Sequence, residues 1–316
     1  MTTTATRYLR TLLAMALIVV TGAVVGVSRP AAAAENLSYQ ISPPVSNIAV
    51  DPGNGTKGTI KVTNLTGTQI SLQVGKANFV AKGEEGQVEL VDAGDPAYSL
   101  APYFIIDQAV IDVPPRTTRD VTYSINVPKD AEPGGRYGSI TFNTIPAKLP
   151  NGQSGASVKQ ELAALIFLRI NGATNEQLSI ESFTAGNNFY EYGPIDFTVR
   201  VKNSGSVHER PAGTIVVKDM FGLTAGKFTL DEKNVIPGAI RKFDAAFKKK
   251  LLFGHYVATL TLQNGTVQTL TAKTSFTVIP YRLLGIIVLF LAIFFIIFWK
   301  GRYRIARAVR ILSGKE

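Results

Sequence analysis

His208, in Ser-Val-His-Glu-Arg, and His255, in Gly-His-Tyr, are the only side chains of this 316-residue chain whose ordinary pKa lies near neutrality, and there is no cysteine. Without cysteine there is no disulfide, thiolate nucleophile, zinc–thiolate site or lipidated cysteine. A histidine can act as general base beside a serine and a carboxylate. Here no Gly-x-Ser-x-Gly elbow, His-Glu-x-x-His pair or phosphate loop accompanies either one. The glycines of PGGRYG follow a proline turn and feed a strand pattern, which is not how a phosphate cradle is built. Glu84, Glu85, Asp92 and Asp95 offer oxygen ligands of the kind calcium takes, but without EF-hand spacing, and solvated turns account for them. Asn-Gly-Thr at Asn54 and Asn264 matches a glycan acceptor, and Asn-Gly is equally a tight-turn signal. The chain is read as no enzyme, with no catalytic residue, no cofactor and no metal site.

What does recur is Gly-x-Tyr followed by alternating small and apolar residues, in GGRYGSITF from Gly134 and in FGHYVATLTL from Phe253. A tyrosine near the start of a late strand can pack its ring on a core edge and bond the backbone of the preceding corner, as in Ig-like sandwiches. Glycine before it permits the sharp turn. Tyr137 and Tyr256 are therefore the candidate structural corners.

The segments around these residues alternate with period two. TIKVTN puts Ile60 and Val62 on one face, DVTYSINV aligns Val121, Tyr123, Ile125 and Val127, and DFTVRV aligns Phe197, Val199 and Val201. Such alternation marks strands with one buried face, and the Gly, Pro, Asn and Asp clusters between them mark turns. Two copies share an order: a strand ending in Val-x-Asn, a Val/Ile-Pro turn, a strand, and then Gly-x-Tyr with another strand. The expected fold is all-β, two tandem Ig-like antiparallel sandwiches over residues 35–173 and 174–279. ELAALIFLRI reads as a buried closing strand, AKLPNGQSGAS as a hairpin loop, and Lys248–Lys250 as a solvated strand edge.

The first copy has extra residues at about 81–104, between Val80 and Pro115, with Tyr98 and Tyr103 among acidic and polar neighbours. Exposed aromatics beside carboxylates suit sugar stacking or a protein hot spot. Tyr98 and Tyr103 are the candidate binding surface, and a lid over an open sheet edge is the equally weighted alternative.

Both ends of the chain are targeting elements. Arg7 and Arg10, an apolar run over residues 12–27 and four alanines at 31–34 have the form of a secretory signal peptide over residues 1–34. Residues 283–299 carry no charge and would be about 25 Å long as a helix. That is enough for a short transmembrane span within 280–299, with Tyr281 and Trp299 as interfacial anchors. The basic tail, residues 300–316, belongs on the cytoplasmic side by the positive-inside rule, leaving the sandwiches extracellular. Of the net +10, Arg7, Arg10 and Arg29 carry +3 and residues 300–316 carry +5, so the rest of the chain is only +2. The high charge thus belongs to targeting and membrane-flanking segments, and no nucleic-acid partner is expected.

With its SYQISPP start, TIKVTN strand, VPPRTTRDVTYSINVPKDAEPGGRYGSITF segment, second sandwich and basic-tailed span, the chain resembles the WxL-interacting proteins of Gram-positive surfaces. The resemblance implies peptidoglycan binding by the first domain and host or partner binding by the second. The expected function is a membrane-anchored surface protein that attaches to cell-wall polymer, such as peptidoglycan, or to a WxL-type surface protein. The alternative is a non-catalytic stalk or accessory module for a carbohydrate-active enzyme.

Overall fold

The structure, a computed structural model, describes residues 37–145, 159–264 and 268–312. The segment expected to be a signal peptide, the whole AKLPNGQSGAS loop and the end of the tail lie outside the described residues.

Strands β1 (Tyr39–Ser42), β3 (Gly55–Asn64), β8 (Thr118–Asn126) and β6 (Phe104–Ile106) form one sheet in the order β1-β3-β8-β6. The facing sheet runs β2 (Val45–Val50), β10 (Glu161–Ile170), β9 (Gly134–Thr144), β4 (Ile70–Lys82), β5 (Gln87–Val91), with β7 (Val110–Val113) also on β4. The alternation in the sequence sets what points inward: Ile60, Val62, Val121, Tyr123 and Ile125 meet Leu72, Ile140, Phe142, Ile166 and Leu168. Burying each such side chain contributes roughly 1.5–3 kcal/mol, and these residues form the core that holds the first sandwich.

The second sandwich places β11 (Leu178–Ala185), β13 (Ile195–Asn203) and β16 (Ile240–Phe247) against a second sheet. That sheet runs β12 (Phe189–Tyr190), β18 (Gln268–Val278), β17 (Gly254–Asn264), β14 (Ala212–Asp219), β15 (Thr224–Thr229). Phe197, Val199, Val217, Phe243, Leu260 and Phe276 lie in its core.

The repetition extends to topology. In each sandwich the opening segment is shared between sheets: β1 pairs with β3 and β11 with β13 in antiparallel fashion, while β2 lies parallel to β10 and β12 parallel to β18. ELAALIFLRI is therefore an interior strand rather than a closing one, because β2 covers its outer side. The Val-x-Asn signal also has a common cause. Asn64 is buried, its amide donates to the carbonyls of Thr68, Val113 and Pro114, and its oxygen accepts from Thr66. Asn203 donates to Val207 and Val235 and accepts from Gly205. In both sandwiches one buried amide ties a strand end to the Val/Ile-Pro turn.

The β4–β5 hairpin has its counterpart in β14–β15, so the extra part of the first sandwich begins after β5 rather than near residue 81. It supplies a short 3-10 turn (Ala101–Tyr103), β6 on the edge of one sheet and β7 on the other. After β18 and two intervening residues comes α1 (Tyr281–Leu312), which continues through the basic segment. Its Tyr281–Trp299 part is long and apolar enough to cross a membrane and is not covered by the other described residues.

Candidate binding site

The first sandwich meets the second through the tip of the β4–β5 hairpin. The Glu84 carbonyl accepts the Lys242 backbone N–H at 2.8 Å, and the Glu84 carboxylate accepts Arg200 Nε at 2.6 Å and Arg200 Nη2. Lys242 Nζ reaches Glu85 at 3.0 Å. Arg200 and Lys242 are cross-strand neighbours on β13 and β16, so their two cations face the two adjacent carboxylates. The Arg200 hydrogen bond holds the Glu84 carboxyl below the usual carboxylate range, and the bond to Glu85 raises Lys242. The acidic turn that the sequence suggested as a solvated loop or calcium site is thus an inter-sandwich strut.

A second contact is aromatic. Tyr137 stacks on Tyr98 at 6.1 Å between ring centroids, lies 5.9 Å from Phe79, and meets the edge of His208 at 5.7 Å. Phe167 lies 5.3 Å from His208. The chain also closes here through the backbone, Gly135 N–H donating to Ser206 at 2.9 Å. Burial, with the Arg169 charge adding, pushes the His208 imidazole down to about 4. The His208 ring packs against those of Tyr137 and Phe167, and its buried Nδ1 has no hydrogen-bond partner among the described residues. His255 lies apart, its Nδ1 3.1 Å from Thr277 Oγ1.

These contacts change the assignment of the candidate tyrosines. Tyr256 makes the corner bonds: its hydroxyl donates to the Phe253 carbonyl and accepts the Phe253 N–H, each at 3.2 Å. The Tyr137 hydroxyl makes no such bond. It is buried beside the His208 backbone without a well-formed partner, and a Cβ on Gly135 would lie 2.0 Å from it. The glycine of the first motif therefore makes room for a ring at the seam, whereas Gly254 in the second takes a φ of +101°. Tyr98 is half-buried against Tyr137, and Tyr103 packs on the first core. Neither is the exposed aromatic that the sequence suggested, because the segment carrying them folds back onto its own sandwich. Lys248–Lys250 sit in the loop between β16 and β17, not on a strand edge.

Between strut and seam lies a cleft of about 380 Å³ lined by both sandwiches. Val45, Val88, Leu165 and Phe167 make its apolar side from the first, Ile236 and Ile240 from the second. Asn234 Nδ2 donates to Asn47 Oδ1 at 2.7 Å across one wall, and Arg210 pairs with Glu232 at 3.3 Å. Arg241, on β16, also lines it. Its guanidinium lies over Gly86, where a Cβ would come within 1.3 Å of Nη1, and its buried Nε has no acceptor among the described residues. Burial lowers the Arg241 pKa, yet a guanidinium stays protonated at neutral pH. A cleft with one apolar side and a guanidinium whose Nε lacks an acceptor among the described residues fits a ligand that brings a carboxylate or similar anion.

Sequence reasoning missed Arg241, Gly86, Asn47 and Asn234. The cleft joins residues far apart in the chain, and the local signal at Arg241 is an ordinary charged strand. No group of three or more His, Cys, Asp or Glu able to hold a metal occurs among the described residues.

No family model matches the chain, and no curated protein matches it in sequence. Among solved structures it is similar to the class 5 fimbriae chaperone CfaA, at 12% identity and a TM-score of 0.41 over 75% of this chain and 98% of that one. It is similar to the Pseudomonas aeruginosa chaperone CupB2, at 12% identity and a TM-score of 0.34 over 74% and 98%. The E. coli chaperone DraB gives 12% identity and a TM-score of 0.37 over 76% and 96%.

Proposed function

We propose that this chain is a non-catalytic, membrane-anchored surface protein that binds an anionic group of its ligand in the cleft between its two sandwiches. One observation carries the reading: the half-buried Arg241 side chain lines that cleft, and its buried Nε has no acceptor among the described residues. The signal-peptide form of residues 1–34, the span-length apolar part of α1 and the basic residues after it support a location of the cleft outside the cell. The ligand classes in view are those of the WxL-interacting resemblance: peptidoglycan, whose stem peptides carry carboxylates, or a WxL-type surface protein offering an acidic segment. The recognising surface passes from Tyr98 and Tyr103, which are engaged in packing, to the cleft, which the 81–104 stretch helps to line with Gly86 and Val88.

The stalk or accessory reading is favoured by the strut at Glu84 and Glu85, which ties the two modules together. One measurement separates the two. Purified full-length protein in detergent micelles is tested for retention on isolated Gram-positive cell walls, alongside Arg241→Gln. Loss of a charged hydrogen bond of roughly 1.5–3 kcal/mol corresponds to a retention constant about tenfold or more lower, with an unchanged unfolding midpoint. Equal retention of variant and wild type overturns the cleft assignment and supports the stalk.

A further inference from the structure

We infer that the base of the second sandwich is itself a membrane-contact surface, inserting an apolar rim into the headgroup region of the bilayer that α1 crosses. The inference rests on the anchoring reading above.

Phe221 is 80% exposed, Leu251 77%, Phe189 73%, Leu223 66% and Phe253 63%. They come from three separate chain segments and share one end of one sheet. Strand register shows this: Asp219, which ends β14, lies opposite Tyr256; Gly254 lies opposite Val278; and Phe189 lies opposite Thr277. The β14–β15 turn, the loop before β17 and β12 therefore surround the point where β18 passes into α1. Met220 confirms the contact between the first two, since a Cβ on Gly254 would lie 2.0 Å from its Cε.

The helix does not leave this end on a loose tether. Ile279 N–H donates to Tyr190 at 2.9 Å, Arg282 N–H donates to Glu191 Oε1 at 3.3 Å, and Arg282 Nε pairs with Glu191 at 3.4 Å. A span that starts at Tyr281 sets the bilayer surface beside its first turn, where the rim also lies. Exposed apolar patches of this kind on a folded domain mark an interaction surface.

Two further features suit lipid rather than water. The Phe221–Leu223 turn satisfies its own N–H groups: Asp219 Oδ1 accepts those of Phe221 and Leu223, and Gly222 N–H donates to the Asp219 carbonyl, while Asp219 N–H donates to Leu223. A turn without orphaned amides can enter a low-polarity medium, where each unmet group would be costly. Directly before Leu251 stand Lys248, Lys249 and Lys250, all exposed, and Gly193 N–H holds the Lys250 carbonyl at 3.1 Å. Lysines bordering an aromatic rim match anionic headgroups.

The chain lacks cysteine, so single nitroxide labels can be placed in the full-length protein in bilayer nanodiscs of phosphatidylcholine with phosphatidylglycerol. Labels go at Phe221→Cys, Lys61→Cys and Val288→Cys, and collision with oxygen is compared with collision with a water-soluble nickel chelate. The expected result is a nickel collision rate at Phe221 several-fold below that at exposed Lys61, with lipid-like values at Val288. Replacing Lys248, Lys249 and Lys250 by alanine should return the Phe221 label toward the aqueous value. If Val288 is in lipid while Phe221 matches Lys61, this inference fails and the anchor stands. If Val288 is aqueous, the anchor itself fails. Spin–spin broadening at Phe221 would show a second copy covering the rim, and would overturn the bilayer assignment.

Discussion

Arg200 on β13 grips Glu84 of the other sandwich with both Nε and Nη2, and its cross-strand neighbour Lys242 takes Glu85. A carboxylate whose pKa is depressed by folding contributes stability above its unfolded pKa. That contribution is lost as pH falls through the lower, folded value. The strut should therefore hold at neutral pH and release in acid, and being solvent-accessible it should weaken in high salt. Glu84→Gln is expected to increase protease cleavage in the 171–177 joint at pH 7, a change the wild type shows only in acid. Identical cleavage at neutral pH would remove the strut's role.

The two Gly-x-Tyr tyrosines should respond differently to loss of the hydroxyl. Tyr256→Phe gives up the bonds to Phe253 and should cost about 1 kcal/mol. Tyr137→Phe removes a buried hydroxyl that has no well-formed partner and should be neutral or stabilising by up to about 1 kcal/mol. Urea midpoints of the full chain in micelles report both, and a larger loss at Tyr137 than at Tyr256 would contradict the assignment.

Glu209 and His208 give the seam opposing pH dependences. Burial, with the Glu176 charge adding, pushes the Glu209 carboxyl from 4.5 up to about 6. The folded state then binds more protons, so stability falls as pH rises from about 4.5 to about 6 and stays lower above. His208 shifts from 6.5 to about 4, so the unfolded state binds more protons and stability falls as pH drops across that window. Glu209→Gln should add about 2 kcal/mol at pH 7 and nothing at pH 4, leaving the histidine's acid loss undisguised. An equal effect at both pH values, measured by urea unfolding, would show that burial of the charge is not the cause.

Asn64→Ala and Asn203→Ala each strand buried backbone groups at the Val113 and Val235 turns. Each should cost about 3 kcal/mol, as read from the unfolding transition of the affected sandwich. The Asn→Asp change keeps the acceptor but turns a buried carboxylate oxygen onto the carbonyls of those turns, so it should cost at least as much as alanine.

Much of the architecture was legible in the sequence because it rests on local physics. The alternation around Ile60, Val121 and Val199 follows from the two-residue strand period, and the uncharged run ending at Trp299 gives a helix of membrane-spanning length. The Val-x-Asn and Val/Ile-Pro signals marked a true repeat, though only the folded chain shows that a buried amide links them. The tertiary structure alone decided what the chemistry-bearing residues face. Gly135-x-Tyr137 and Gly254-x-Tyr256 are alike as strings, yet one tyrosine closes a corner and the other fills the seam against His208. Tyr98 looked exposed because its polar neighbours surround it in sequence, and it is half-buried because Tyr137 lies beside it in space. The cleft forms only where β16 of one sandwich meets the β4–β5 hairpin of the other. Arg241 acquires its unsatisfied Nε from residues distant in the chain, and a strand's period records which face is buried, not what is buried against it.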